Sequence, residues 1–326
     1  MENKEVILEV KGVKRYFPVR KGFLFPKTLG YVRAVDDISF SLFEGEALGI
    51  VGESGCGKTT LGKLLIGLDR PTEGNVLFMG KEAEKNSEIH QKVQMVFQDP
   101  YSSLDPRMNI RRIIEEPLRI HTKLSQKEKL KIIKPLMELV GLGEDALEKY
   151  PHEFSGGQRQ RIGIARALAL EPRLLVCDEP VSALDVSIQA QILNLFKELQ
   201  RKKNLAYIFI SHDMSVVRHI SDRVMVMYLG RAVEIAPKRD LFEHTLHPYS
   251  QALMDAIPVP DPQYNRKKEL LKGDIPSPID APAGCPFQTR CPKVMACCKE
   301  RPSVLHEVEP GHFVACHLFD GEVGGR

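Results

Sequence analysis

The 326-residue sequence lacks the features that mark a membrane-spanning or exported protein. No stretch approaches the roughly 18 to 20 uninterrupted apolar residues of a membrane span, so we do not expect the chain to cross a bilayer. The start, MENKEVILEV, has no charged and then apolar signal pattern, which predicts that the protein stays in the cytoplasm. If it works at a membrane, other chains must supply the spans.

The sequence also lacks an excess of either charge and any internal repeat. Lys and Arg number 46 against 43 Asp and Glu, so no bulk basic field indicates a nucleic-acid partner. The basic stretches QRQRIGIAR and KLSQKEKLKIIK are short and are typical of helix faces. The length suffices for two domains, and without a repeat any nucleotide-binding unit occurs once.

The stretch GESGCGKTT joins a buried apolar run, EALGIV, to a segment whose leucines recur at helical spacing. It fills the pattern G-x-x-x-x-G-K-[ST] in the strand–turn–helix context that the pattern requires. Glycines let backbone N–H groups surround an anion at a helix N-terminus, Lys58 can reach the β- and γ-phosphates, and the Thr59 hydroxyl can bind Mg²⁺. The predicted nucleotide-binding residues here are Gly52, Glu53, Ser54, Gly55, Cys56, Gly57, Lys58, Thr59 and Thr60.

Two adjacent carboxylates end a second apolar run, RLLVCDEP. A carboxylate at the C-terminal end of a buried parallel strand faces the crevice where ligands bind. We expect Asp178 to help hold Mg²⁺ through water. Glu179 is placed to orient or deprotonate the water that attacks the γ-phosphate.

A second anion-binding device occurs in EFSGGQRQRIGIARALAL. Ser155, Gly156 and Gly157 precede a predicted helix, so a cap residue and bare backbone again stand at a helix N-terminus. One γ-phosphate does not need two such devices in one subunit. We therefore expect the second device, with Gln158, to serve the nucleotide of a neighbouring subunit.

The order of apolar runs predicts an α/β protein with a parallel sheet. Residues 6–51 are β-rich, residues 107–170 have helical periodicity, and strands return at RLLVCDE and AYIFIS around a helix at Ile188 to Gln200. DRVMVMYLGRAVEI predicts a hairpin that turns at its Leu-Gly pair. Beyond Pro237 the chain is rich in proline and turns, which predicts a linker and a small C-terminal appendage.

Together these motifs resemble the ATP-binding subunits of ABC transporters. GESGCGKTT resembles the Walker A motif, LLVCDE the Walker B motif, and SGGQ the family signature. The resemblance covers about residues 5–250 and implies a P-loop ATPase fold with an antiparallel β subdomain and a helical subdomain at about residues 100–170. It implies further site residues: Gln98 at Mg²⁺ or the attacking water, Asp185 in the D-loop, His212 as the switch histidine, and Phe17, ahead of Tyr16, stacked on adenine.

The resemblance also implies an assembly. Two such subunits face each other head to tail, and ATP lies between the Walker A loop of one and the Ser-Gly-Gly of the other. Hydrolysis releases like-charged products and opens the dimer. The helical insert would receive a coupling helix from one of two transmembrane permease subunits. The chain would then be a peripheral protein at the cytoplasmic face of the cell membrane, with ATP and Mg²⁺ as its ligands.

Three segments outside the ATPase core resemble the oligopeptide and dipeptide importer branch. They are the insert YFPVRKGFLFPKTLGYVRAVDDISF, the stretch LFEHTLHPYSQALMDAIPVPDP, and the cysteine-rich tail. GESGCGK and LGKLLIGLDRPTEG resemble the subunit called F more than its partner D. The resemblance implies peptide import, a D-type ATPase as the second subunit and an extracytoplasmic peptide-binding protein. It divides the chain into an ATP-binding domain at residues 1–250 and a C-terminal extension at residues 251–326.

Five of the seven cysteines crowd the end of the chain, which in a reducing cytoplasm indicates a metal or redox site before disulfides. Four thiolates are the usual ligands of iron–sulfur clusters and of structural zinc. Cys285, Cys291, Cys298 and Cys316 match the four-cysteine pattern of this branch, which in some members binds a [4Fe–4S] cluster. We expect such a cluster, with a structural zinc ion as the alternative. Without a metal, the cysteines would be free thiols buried as small apolar side chains. Cys297 could replace Cys298 as a ligand if the local turn shifts by one residue.

Three other functions stay open at this point. Related subunits energise the import of nickel or glutathione with the same ATPase core. A soluble ABC protein that acts on ribosomes or DNA would carry two ATPase units or a long inserted coiled coil, and this sequence has neither. A regulatory module that binds ATP without turnover would not need both Glu179 and His212.

Overall fold

Two sheets and ten helices form the part of the chain that the computed structural model describes, namely residues 5–22, 27–83, 88–257, 273–274, 276–277, 279 and 281–321. The strands are β1 (Val6–Lys21), β2 (Lys27–Phe43), β3 (Ala47–Val51), β4 (Glu73–Phe78), β5 (Lys81–Glu82), β6 (Val93–Val96), β7 (Leu174–Asp178), β8 (Ala206–Ser211), β9 (Arg223–Tyr228), β10 (Arg231–Pro237), β11 (His306–Glu309) and β12 (His312–Val314). The helices are α1 (Lys58–Leu65), α2 (Ile89–Lys92), α3 (Ile110–His121), α4 (Gln126–Leu139), α5 (Gly156–Leu168), α6 (Val186–Lys203), α7 (Met214–Ile220), α8 (Lys238–Glu243), α9 (Pro248–Asp255) and α10 (Ala296–Glu300).

The larger sheet confirms the predicted α/β fold. Its strand order is β11-β12-β10-β9-β3-β8-β7-β6, and the strands from β9 to β6 in this order run parallel to one another. β3, β7 and β8 are buried along their whole length, as near-continuous apolar runs predict for strands covered on both faces. The predicted hairpin is the antiparallel pair of β9 and β10, which turns at Leu229 and Gly230, both with positive φ.

The smaller sheet differs from the prediction for residues 6–43. The pattern divides residues 6–43 into short strands and a long insert, whereas the structure extends β1 and β2 into one antiparallel hairpin paired from Val6 and Phe43 to Lys21 and Lys27. Bulges interrupt the pairing. They break the period-2 pattern, while the cross-strand hydrogen bonds still satisfy the backbone groups that a loop would leave to water.

Alternate side chains of the buried strands divide the core into two layers. Leu174 and Val176 pack with α1 and the smaller sheet, whereas Leu175 and Cys177 pack with the helices α3 to α6. The sheet therefore lies between an antiparallel β layer and a helical layer. The predicted helical region contains α3, α4 and α5, and none of the helices in the described ranges is long and apolar enough to cross a membrane.

The C-terminal part of the chain is joined to the large sheet. β12 pairs with β10, and the buried Glu234 carboxylate on β10 accepts hydrogen bonds from the backbone of Leu246 and His247 and contacts His312 Nε2 at 2.8 Å. The predicted domain boundary at residues 250 and 251 falls inside α9. Most of the proline-rich stretch predicted as a linker lies outside the described residues.

Burial makes His247 sensitive to acid. Its Nδ1 accepts a hydrogen bond from the Tyr249 amide, and burial lowers the pKa of His247 to about 4, against an opposing effect of the Glu234 carboxylate. The unfolded chain therefore takes up a proton near pH 6.5, while the folded chain remains unprotonated at this residue until about pH 4. Stability from this group is present above the unfolded pKa and is lost as pH falls through this window.

We predict that His247→Asn makes the free energy of unfolding less dependent on pH. The wild-type histidine removes about 2 kcal/mol of stability on going from pH 7 to about pH 5, by proton linkage. Asparagine keeps an acceptor at the N-cap of α9 and does not titrate there. Urea unfolding at the two pH values checks this, and an equal loss in both proteins would contradict it.

Candidate functional site

The loop between β3 and α1 has the backbone shape that the sequence predicts for an anion site. Gly52, Gly55 and Gly57 all have positive φ, at 154°, 78° and 103°. A Cβ on Gly57 would lie 1.9 Å from the carbonyl oxygen of Ala34 on β2, so only glycine fits there. α1 begins at Lys58, which places the N-terminal amides of a helix beside the loop.

A cavity of about 590 Å³ opens over this loop, and residues from distant parts of the chain line it. Its walls join the loop, the ends of β6, β7 and β8, the strand β2, and the β9–β10 turn. The lining residues are Phe17, Val32, Arg33, Ala34, Ser54, Gly55, Gly57, Lys58, Thr59, Thr60, Gln98, Glu179, His212, Leu229 and Gly230. Three residues of the predicted loop, Gly52, Glu53 and Cys56, do not line it.

Lys58 is held in place by the loop itself. Its Nζ donates to the carbonyl oxygens of Gly52 at 2.7 Å and Glu53 at 2.9 Å. The side chain is buried, yet its charge is solvated by these two carbonyls, so it stays beside the cavity. This arrangement keeps the cation ready for an anionic ligand.

Thr59 and Asp178 meet at one edge of the cavity. The Thr59 hydroxyl donates to Asp178 Oδ1 at 3.2 Å, and burial raises the pKa of Asp178, an effect that this hydrogen bond opposes. A buried carboxylate beside a hydroxyl suits a divalent cation, which prefers oxygen ligands and favours the ionised carboxylate. Gln98, the third predicted Mg²⁺ residue, binds Glu179 instead of Asp178 in this structure.

Two of the three predicted catalytic residues, Gln98 and His212, contact the carboxylate of the third, Glu179. Gln98 Nε2 donates to Oε2 at 2.9 Å, and His212 Nδ1 lies 3.1 Å from Oε1. Glu179 has a φ of 45°, which is unusual for a non-glycine residue and occurs mainly where structure or function enforces it. Its amide donates to the Ile210 carbonyl at the end of β8, so the backbone holds the side chain at the sheet edge.

The two aromatic candidates occupy different places. The Phe17 ring lines the cavity, and the Arg15 guanidinium lies 4.5 Å from its centroid. The Tyr16 hydroxyl instead donates to Asp36, which also pairs with Arg231, and burial raises the pKa of Tyr16. This placement favours Phe17 as the ring that would face a base.

The Ser-Gly-Gly segment, Ser155 to Gly157, forms the N-terminus of α5 and does not line the cavity. The Ser155 hydroxyl accepts from the Gln158 amide, and the Gln158 side chain accepts from the Ser155 amide, which completes a capping box on α5. Asp185 is the N-cap of α6. Neither the segment Ser155–Gln158 nor Asp185 is among the cavity-lining residues given above. The second predicted anion-binding segment therefore does not reach the glycine-rich loop of the same chain.

The C-terminal cysteines lie near one another. The Cys285 amide donates to the Cys298 carbonyl at 2.8 Å, and burial raises the pKa of Cys316 to about 12, with further increases from the thiolate charges of Cys285, Cys291 and Cys298. These contacts favour Cys298 over Cys297 as the fourth member. Among the described residues, however, no group of three or more His, Cys, Asp or Glu is arranged to hold a metal ion.

The sequence did not predict two contacts that residues near the C-terminus make with the loop between β3 and α1. Tyr249 accepts a hydrogen bond from the Glu53 amide, and Arg290 binds the Glu53 carboxylate. These partners are about two hundred positions away in the chain and belong to no motif. The Glu53 carboxylate in a loop predicted to bind phosphates is a signal in the sequence, because it calls for a neighbouring cation.

The fold and site define an ATP-binding cassette, and comparison with known proteins agrees. The ABC transporter family matches residues 35–182, and the oligopeptide/dipeptide transporter C-terminal region matches residues 233–298. The cassette MJ0796, solved as a dimer in a post-hydrolysis state with ADP and phosphate, superposes with a TM-score of 0.62 at 27% identity, covering 72% of this chain and 99% of that one.

Two full-length relatives take the comparison further. The chain is 54% identical over 325 residues to the oligopeptide transport ATP-binding protein AppF of Bacillus subtilis, covering 97% of this chain and 98% of that protein. It is 51% identical to the oligopeptide transport ATP-binding protein OppF of Salmonella typhimurium, covering 98% of each. The chain therefore belongs to the ABC transporter family.

We predict that Phe17→Ala weakens the binding of a fluorescent ATP analogue about tenfold, because stacking of a base on an aromatic ring is worth roughly 1–3 kcal/mol. Tyr16→Phe removes only a hydroxyl that faces Asp36 and is the matched control. We expect its affinity to stay within about twofold of the wild type. Titration by fluorescence measures both, and an unchanged affinity in Phe17→Ala would remove the assignment of Phe17 as the adenine contact.

Proposed function

We propose that this chain binds and hydrolyses ATP to energise peptide import through a membrane transporter. The observation that carries the proposal is the placement of Glu179, bound by Gln98 and His212, at a cavity that Lys58 and Thr59 also line. This set places a carboxylate, a cation and a hydroxyl around one cavity, as γ-phosphate hydrolysis requires. The names of the two relatives support the peptide substrate.

Each group has a role in this mechanism. Phe17 stacks on the adenine, the amides of the glycine-rich loop surround the phosphates, and Lys58 neutralises charge on the β- and γ-phosphates. Thr59 and Asp178 would hold Mg²⁺, which would supply charge that polarises the phosphates. Glu179 orients a water for in-line attack and accepts its proton, while Gln98 and His212 position the Glu179 carboxylate.

The second half of each site comes from another subunit in this proposal. Ser155, Gly156, Gly157 and Gln158 present a helix N-terminus that would cap the γ-phosphate bound by the partner, and Asp185 would lie at the same interface. The dimeric state of the similar cassette supports this arrangement. The loop sequence GESGCGK resembles that of the subunit called F in peptide importers, which supports the subunit called D as the second ATPase.

The remaining partners follow from the transport role. The chain would lie at the cytoplasmic face of the cell membrane, attached through its helical region to two permease subunits, with an extracytoplasmic binding protein that delivers the peptide. The match to the oligopeptide/dipeptide C-terminal region favours peptides over nickel or glutathione. That match also favours a transporter subunit over a soluble ABC protein. Residues 1–250 and 251–326 would be its two domains.

A [4Fe–4S] cluster in the C-terminal extension is a further part of the proposal, with zinc as the alternative. Cys285, Cys291, Cys298 and Cys316 would hold it. Burial raises the pKa of Cys285, Cys291 and Cys316, so thiolates at these three positions call for a compensating cation. The side chains have to rearrange to do so. The cluster would staple a small extension with little core of its own.

The hydrolytic role is tested by Glu179→Gln in the assembled transporter. We expect the rate of ATP turnover to fall by about 10²- to 10⁴-fold, the usual contribution of a general base, with ATP binding retained. Glu171→Gln is the matched control, because Glu171 is an exposed glutamate that pairs only loosely with Lys203 at 3.7 Å. Undiminished turnover in the Glu179 variant would remove the assignment of the base.

The cluster is tested on anaerobically purified protein with a pair of adjacent variants. We expect visible absorbance, with iron and acid-labile sulfide in equal amounts, in the wild type and in Cys297→Ser, and loss of all three in Cys298→Ser. Loss of the cluster in Cys297→Ser and its retention in Cys298→Ser would identify Cys297 as the ligand in place of Cys298. Colourless wild-type protein that contains zinc would replace the cluster with a zinc site, and metal-free protein would leave plain thiols.

A further inference from the structure

Glu53 belongs to the glycine-rich loop, but its side chain is bound by the C-terminal extension. Arg290 donates through Nη1 to Glu53 Oε2 at 2.7 Å and through Nη2 to Oε1 at 3.0 Å. The Arg290 side chain is only 7% exposed and that of Glu53 26% exposed. A two-pronged, largely buried pair of this kind fixes direction as well as distance.

The backbone of Glu53 is held as firmly as its side chain. Its amide donates to the Tyr249 hydroxyl at 3.0 Å, so this N–H is occupied by protein. Its carbonyl oxygen accepts from Lys58 Nζ at 2.9 Å. Arg290 and Tyr249 therefore act through Glu53 on the lysine that faces the cavity.

Arg290 is itself rigidly placed. Its amide donates to the Phe287 carbonyl at 3.0 Å within the turn that runs from Cys285 to Cys291. The buried Phe287 ring packs against Tyr228 and Tyr249, with centroids 5.3 Å and 5.4 Å apart. The guanidinium also lies 5.9 Å from the centroid of the Tyr228 ring. A rigid turn of the extension thus presents one cation to the loop.

The charge of Glu53 explains why this cation is needed. A triphosphate bound in the loop would lie close to the Glu53 carboxylate, and like charges at short range repel each other. Arg290 neutralises that carboxylate and holds it away from the cavity, which Glu53 does not line. Without Arg290 the loop would carry an unpaired negative charge.

We propose that Arg290 is a positioning residue for ATP, through which the C-terminal extension holds the glycine-rich loop in its binding conformation. The inference rests on the proposed role of residues 52–60 as the ATP loop. It gives the extension an effect on ATP affinity that is separate from any metal it holds. Arg290 does not touch Glu179, Gln98 or His212, so the chemical step itself should be unaffected.

A purely structural role for Arg290 makes a different prediction. The extension is also joined to the sheet by the pairing of β12 with β10, by the buried contact of Glu234 with His312, and by the Phe287 packing. Loss of one guanidinium leaves these in place. If Arg290 only stabilised the extension, its loss would lower the free energy of unfolding and leave the ATP affinity of the folded chain unchanged.

The test compares five variants of the full chain by titration with a fluorescent ATP analogue and by steady-state turnover in the assembled transporter. We expect Arg290→Gln to raise Kd and KM for ATP about tenfold, with kcat within about twofold, since a buried charge is left unpaired. Arg290→Lys keeps the charge without the fork and should lose about threefold. The double variant Glu53→Gln/Arg290→Gln should bind ATP better than Arg290→Gln alone, because the repelling carboxylate is gone.

The remaining two variants are controls. Glu53→Gln alone completes the cycle. Arg301→Gln removes an exposed arginine of the same extension, which pairs with Asp320 at 3.0 Å, and should leave Kd and KM unchanged. If Arg290→Gln does not fold, the Arg290→Lys variant decides the question alone.

Three outcomes would overturn the inference. They are wild-type ATP affinity in Arg290→Gln or in the lysine variant, a loss confined to kcat, and a double variant no better than Arg290→Gln. In each of these the wild type still binds ATP, so the proposed function stands. Failure of the wild-type chain to bind the nucleotide would instead remove the proposed function and this inference together.

Discussion

The site depends on a loop that has to present bare backbone and still be held in one conformation. Positive φ at Gly52 and Gly57 turns backbone amides toward one space, and side chains at these positions would collide with the carbonyl oxygens of Met227 and Ala34. A chain of glycines gains no stability from packing, so neighbouring elements must supply it. Strand β2, the β9–β10 turn, Lys58 and the C-terminal extension all contact the loop for this reason.

Local chemistry explains which parts could be predicted from the sequence. Strand–turn–helix spacing placed the loop, and apolar runs that end in polar residues placed Asp178 and His212 at one sheet edge, because parallel strands share that edge. The long hairpin of β1 and β2 was missed because bulges break the period-2 pattern. Arg290 and Tyr249 were missed because a contact that spans about two hundred residues leaves no periodic signal.

The two segments predicted to bind anions differ in what satisfies their polar groups. Lys58 binds two loop carbonyls and faces a cavity, whereas Ser155 and Gln158 satisfy each other in a capping box. Tyr101, three residues after Gln98, lies under the Arg159 guanidinium at 4.1 Å and beside Gly156. One aromatic ring close to Gln98 in sequence therefore packs against the helix that the Ser-Gly-Gly segment begins.

The C-terminal extension has to be regarded as part of the nucleotide-binding unit in physical terms. Its strand β12 adds to the sheet that carries the loop, and Glu234 and His312 form a buried contact that would be costly to break by removing one partner. An appendage that only needed to be stable would not direct a buried arginine at a glycine-rich loop. Glu53 contacts this arginine through its carboxylate and Lys58 through its backbone carbonyl, so a single residue joins the Cys285–Cys291 turn to the lysine beside the cavity.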